Sequence, residues 1–138
     1  MSSTLLFLSK QELLDIHAKA IAEFGGSLGL RDEGALESAL AAAEQRYLYE
    51  NADFLCWVGF SLPIATCAAT YAFHLSQAHA FVDGNKRAAA AVSEIFLEIN
   101  GARLGLTNDQ IVDLFLRIAG GELPRDQVDQ VFGQSVVL

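Results

Sequence analysis

Residues 54–78 contain no Asp, Glu, Lys or Arg. A charge-free stretch of that length has two homes. It can cross a bilayer, or it can form a helix covered on most sides in the middle of a protein core. Pro63, His74, Gln77 and the interspersed Ser, Thr and Ala residues favour the second. Pro63 suits the first position of a helix, where its missing N–H goes unnoticed. Ile64, Cys67, Ala68, Tyr71 and Leu75 follow at helical spacing and are expected to point inward. The chain has 138 residues, which fits one domain over 1–138 with a single core. The other segments must wrap around this central helix.

They read as helices separated by short turns. Ser9 and Glu12 have the spacing of a capping box, followed by Leu13, Ile16, Ala20, Ile21 and Phe24 on one predicted inward face. Gly25 and Gly26 end that helix. Asp32 caps a second helix carrying Leu36, Ala39, Leu40 and Ala43, whereas residues 47–60 are aromatic and irregular and carry no clear assignment. A loop from His79 to Gly84 follows the charge-free helix. The next helix starts near Asn85 and stops at Asn100-Gly101. Thr107 and Gln110 cap a fifth helix bearing Ile111, Leu114, Phe115 and Ile118, which Gly120 and Gly121 end. Pro124 opens a last helix through Val128 and Val131. No segment alternates as a strand does, so the expected class is all-α, a compact bundle of about six helices.

The charge balance narrows the ligand. The formal net charge is −8. Binding to nucleic acid depends on many cations neutralising phosphates, so an acidic chain argues against DNA or RNA. A small phosphate compound needs only a local positive site. Cys56 and Cys67 lack metal-ligand spacing and read as core thiols, which suits a reducing cytoplasm. The first ten residues lack the features of a signal peptide.

One nine-residue run concentrates the polar chemistry: His79, Ala80, Phe81, Val82, Asp83, Gly84, Asn85, Lys86, Arg87. Lys86 and Arg87 are the only adjacent basic residues in the chain, and they fall in the first turn of a helix. Cations there face the positive end of the helix dipole, which costs a few tenths of a kcal/mol each. Stability alone would favour acids. The same helix end presents free backbone N–H groups, and Gly84 lets an anion approach closely. Together these make an anion site suited to a triphosphate. Asp83, beside it, would repel phosphate unless a divalent cation lay between, and magnesium binds through one or two carboxylates plus phosphates. His79 can accept a proton from an attacking hydroxyl. Phe81 reads as an apolar anchor for the loop. His17 and His74 have no such sequence neighbours and read as structural.

The run HAFVDGNKRA resembles the signature of the Fic/Doc superfamily, H-x-F-x-(D/E)-G-N-x-R, with His79, Phe81, Asp83, Gly84, Asn85 and Arg87 all in place. Lys86 stands where the Fic branch usually has glycine, and lysine there is typical of the Doc branch, the "death on curing" toxins of toxin–antitoxin pairs. The run GGSLGLRDEGALESAL and the opening LSKQELLDIHAKAI are similar to Doc proteins as well.

The resemblance implies a helical fold with the signature between two central helices. It implies His79 as the base for a hydroxyl of a target protein, Asp83 as the magnesium holder, and Gly84, Asn85, Lys86 and Arg87 as phosphate ligands. It further implies ATP as substrate and transfer of the γ-phosphoryl group to a Ser or Thr hydroxyl, with elongation factor Tu as the target and translation inhibited. A Phd-type antitoxin would be the neutralising partner; Phe54, Trp57 and Tyr49 are candidate anchors for it. AMP transfer of the Fic kind and a catalytically idle antitoxin-binding module are the alternatives. Ala90 occupies the place of a second Fic arginine, which argues against AMP transfer. Residues 88–91 are all alanine, which predicts fewer nucleotide contacts from that helix face.

Overall fold

A computed structural model describes residues 5–52 and 63–138. Six helices dominate these residues: α1 (Lys10–Phe24), α2 (Glu33–Ala52), α3 (Pro63–Ala78), α4 (Asn85–Ile99), α5 (Asn108–Ala119) and α6 (Arg125–Ser135). The all-α expectation holds. The described part of the charge-free stretch is α3, and it is the hub. It packs against α2, α4, α5 and α6. Ile64, Cys67, Ala68, Tyr71 and Leu75 are all buried, on the inward face that their spacing predicts. Among the described residues no helix is long and apolar enough to cross a membrane.

Small residues make this packing possible. Ala65, Ala68, Ala69 and Ala72 of α3, and Ala88 and Ala89 of α4, are buried, so the helices can approach closely without large side chains between them. The alanine run of α4 is therefore largely a helix-packing surface. Larger groups fill the remaining space. Tyr71 is fully buried with its ring 5.1 Å from that of Phe96, which lies 5.6 Å from Phe7. Burial pushes the Tyr71 phenol up to about 12. Its oxygen accepts a hydrogen bond from Leu8 N at 3.3 Å, tying the segment before α1 to the central helix. The Asn100 side chain holds the same segment by bonding both backbone groups of Leu6.

Helix ends follow the local signals. Ser9–Glu12 and Thr107–Gln110 form complete capping boxes, and Asp32 Oδ1 accepts from Ala35 N at 3.0 Å at the start of α2. Two features differ from expectation. α2 continues through residues 47–52, part of the stretch that sequence leaves unassigned; Phe54, Cys56 and Trp57 lie outside the described residues. A two-stranded antiparallel sheet also exists, β1 (Arg103–Leu104) with β2 (Val136–Val137). Two residues per strand are too few to produce an alternating pattern, so periodicity could not reveal it.

Candidate active site

The signature loop is built by its own backbone and braced from a distance. α3 ends at Ala78, and His79 follows with φ 48°, the one non-glycine residue with positive φ among those described. A side chain in this left-handed region costs about 1–2 kcal/mol. Such strain persists where the surroundings impose it, and it concentrates at functional sites. The His79 side chain is exposed and has no hydrogen-bond partner among the described residues.

Asn85 closes the loop four residues back. Its Oδ1 accepts from Phe81 N at 3.0 Å, and its Nδ2 donates to Phe81 O at 2.9 Å. Phe81 is buried, the anchor its sequence position suggests. Its ring stacks on His17 with centroids 3.7 Å apart and planes 5° from parallel. His17 Nε2 in turn donates to the Asp83 carbonyl at 2.7 Å, which fixes its proton on Nε2. His17 is thus structural, as expected, and what it supports is the signature loop. Gly84 sits directly against this brace. Its φ is +76°, and a Cβ there would lie 2.9 Å from Ile21 Cδ1. The left-handed conformation demands glycine, and a side chain there would also push the Ile21 methyl aside.

The turn after α1 forms a second wall. Val82 N donates to Gly29 O at 3.0 Å, and Arg31 N donates to Ala80 O at 2.7 Å, an antiparallel pairing of the two loops. The Asp83 carboxylate is held from both sides: Oδ1 accepts from Gly84 N at 2.8 Å, and Oδ2 accepts from Ser27 N at 3.2 Å. Gly26 allows this approach, since a Cβ on it would stand 2.7 Å from Asp83 Oδ2.

At α4 the helix begins without a side-chain cap. Gly84 occupies the N-cap in a left-handed conformation, and the first turn has no acid. The first intrahelical bond runs from Ala88 N to Gly84 O at 2.9 Å, which leaves the amides of Asn85, Lys86 and Arg87 for an external acceptor. Lys86 and Arg87 are exposed, and neither pairs with a carboxylate among the described residues. Arg87 instead lies on α1. Its guanidinium is 5.0 Å from the centre of the Phe24 ring, and Nη1 donates to Phe24 O at 3.3 Å. This corrects the expectation that Phe24 packs inward. It is 59% exposed and acts as a shelf for Arg87.

His79, Asp83, Gly84, Asn85, Lys86 and Arg87 all line one cleft of about 560 Å³. Ser76 and Val82 join them, and Leu116, Ala119 and Gly120 contribute an apolar side from the end of α5. The volume falls within the roughly 300–1,000 Å³ of small-molecule sites. Every signature residue that sequence marks as chemical is therefore in one place. Phe24, Ser27 and the end of α5 are contributed by segments far away in the chain, and no local pattern marks them; Ser76 comes from the last turns of α3, just before the signature. His74 is elsewhere, half-buried on α3; burial, then Arg125 and Arg46, lower its pKa.

A model of the Fic/DOC family matches residues 7–97. "Protein kinase doc" of Escherichia phage P1 is 30% identical to the chain over 116 residues, 84% of each protein. "Toxin Doc" of Mycolicibacterium smegmatis is 33% identical over 124 residues, 88% of this chain and 87% of that protein.

Proposed function

This chain belongs to the Fic/DOC family, and on that premise we propose that it is a Doc-like toxin that transfers the γ-phosphoryl group of ATP to a Ser or Thr hydroxyl of a target protein. The observation that carries the reading is the single cleft that unites an exposed histidine, a carboxylate, an uncapped helix N-terminus and two cations. The name of the phage relative, a protein kinase, supports phosphoryl transfer. So does Lys86, in the place where the AMP-transferring branch has glycine.

The roles follow from position. The triphosphate lies against the amides of Asn85, Lys86 and Arg87, with the helix dipole and the two side chains opposing its charge. Gly84 keeps the approach open, and Asn85 holds the loop in shape around the phosphates. Leu116, Ala119 and Gly120 offer the nucleoside an apolar surface. Asp83 fits a magnesium ion: each carboxylate oxygen accepts one backbone N–H and keeps a lone pair, and phosphate oxygens complete such a site. Bound there, magnesium would offset the charge of the phosphates. His79 takes the proton from the target hydroxyl, whose oxygen forms a bond to the γ-phosphorus. The bond from that phosphorus to the β–γ bridging oxygen breaks, and ADP leaves. The partner that restrains this activity is an antitoxin of the Phd type; Tyr49, 82% exposed at the end of α2, is a candidate anchor for it.

Intact-protein mass spectrometry tests the reaction. Elongation factor Tu is incubated with this protein, ATP and magnesium, alongside a His79→Ala control. A gain of one phosphoryl mass that disappears in the control is expected. An AMP-sized gain would assign AMP transfer instead. No gain, with cellular toxicity unchanged by His79→Ala, would favour a binding module.

A further inference from the structure

The Ser and Thr residues of the two central helices that are at most 1% exposed, Thr70, Ser76 and Ser93, are not treated alike. Thr70 Oγ1 donates to Thr66 O at 2.8 Å, and Ser93 Oγ donates to Ala89 O at 2.7 Å, the usual bond to the carbonyl one turn earlier. Ser76 is 1% exposed, and its Oγ has no partner, the only such buried side-chain polar atom among the described residues. A buried hydroxyl without a partner weakens a fold. Alanine would avoid that penalty, and α3 uses buried alanine at Ala65, Ala68, Ala69 and Ala72. Ser76 also lines the cleft, three residues before His79.

We propose that the Ser76 hydroxyl is a phosphate ligand, donating a hydrogen bond to an oxygen of the triphosphate held in the cleft. The proposal rests on the nucleotide reading above. A phosphate chain is rich in acceptors, and the cleft offers it donors in the amides that start α4, Lys86 and Arg87, beside the Asp83 carboxylate and His79. Ser76 adds one more donor from α3, so the triphosphate is gripped by both helices that flank the signature loop. The hydroxyl is enclosed in the free protein, so binding turns the side chain toward the cleft, and no internal hydrogen bond has to break for that turn.

Calorimetric titration of the full chain with ATP and with inorganic tripolyphosphate, both with magnesium, tests this in wild type, Ser76→Ala and Ser76→Cys. The cysteine variant keeps the side-chain size and loses the strong donor. Both variants are expected to bind ATP and tripolyphosphate about tenfold more weakly, as removal of a hydrogen bond to a charged group requires. Without ligand, Ser76→Ala should melt at or above the wild-type temperature. Affinity within twofold of wild type, or a lower melting temperature of free Ser76→Ala, overturns the proposal. A loss seen with ATP but not with tripolyphosphate overturns the phosphate assignment and moves the contact to the nucleoside. A wild-type chain that binds neither ligand overturns the nucleotide reading and this inference with it.

Discussion

The N-termini of α1 and α4 solve the same physical problem in opposite ways. Each exposes backbone N–H groups and the positive end of a dipole. At α1, Ser9 caps the helix, Glu12 completes the box, and the acid sits where the dipole favours it. α5 repeats the solution with Thr107, Gln110 and Asp109. At α4 the cap is a glycine without a side-chain bond, acids are missing from the first turn, and Lys86 and Arg87 occupy it. The residue entering the loop, His79, is strained as well. Ends built for stability spend their amides internally. The end of α4 leaves them without a side-chain cap, as an anion site would require.

Each prediction can break or sharpen that contrast. The largest effect belongs to His79. Replacing it with glycine should lower the phosphoryl-transfer rate by about 10²–10⁴-fold, the usual contribution of a general base. The same change should raise stability by about 1 kcal/mol, since glycine accepts φ 48° without strain. A rate assay paired with denaturant unfolding reads both, and a destabilised variant would refute the strain argument.

Next, Lys86→Glu should weaken ATP binding at least about tenfold while adding a few tenths of a kcal/mol to stability, because an acid suits the dipole where a lysine does not. Titration calorimetry and thermal melting should move in opposite directions. Ser9→Ala should do the reverse, costing about 1 kcal/mol and leaving ATP affinity untouched. An affinity change there would mean the two helix ends are coupled.

The smallest effect is the pH dependence of the α1 cap. Hydrogen bonds from the Ser9 backbone and side chain hold the Glu12 carboxyl below its ordinary pKa. Its contribution is therefore complete above the unfolded-state pKa and is lost as pH falls through the folded value. Glu12→Gln keeps an acceptor without a titrating group, so its melting temperature should fall less than that of wild type between about pH 5 and pH 3. Equal falls would show that the box does not titrate as the geometry implies.

Much of the fold is legible without coordinates, for identifiable reasons. Caps, glycine stops and 3.6-residue spacing act over a few residues, so Ser9–Glu12, Thr107–Gln110, Gly84 and the inward face of α3 can be read locally. The signature residues are also contiguous, and their types alone point to an anion site. Phe24 misleads because its spacing matches the inward face of α1, while at the end of that helix its ring lies under the Arg87 guanidinium. His17 and Ser76 carry no local mark. His17 acts through Asp83, 66 residues away, whereas Ser76 lies three residues before His79 and its unpartnered hydroxyl shows only once the helices have packed.

By itself the sequence determined the helical class, the central position of α3 and the residues of the signature loop, because each depends on composition or spacing within a few turns of chain. Only the tertiary structure decided how that loop is held. It set His17 beneath Phe81, laid the turn after α1 against residues 80–83, placed Arg87 on Phe24 and left Ser76 without a partner at the wall of the cleft. The reason is range: helix formation is set by near neighbours, whereas a cleft exists only once distant segments pack together.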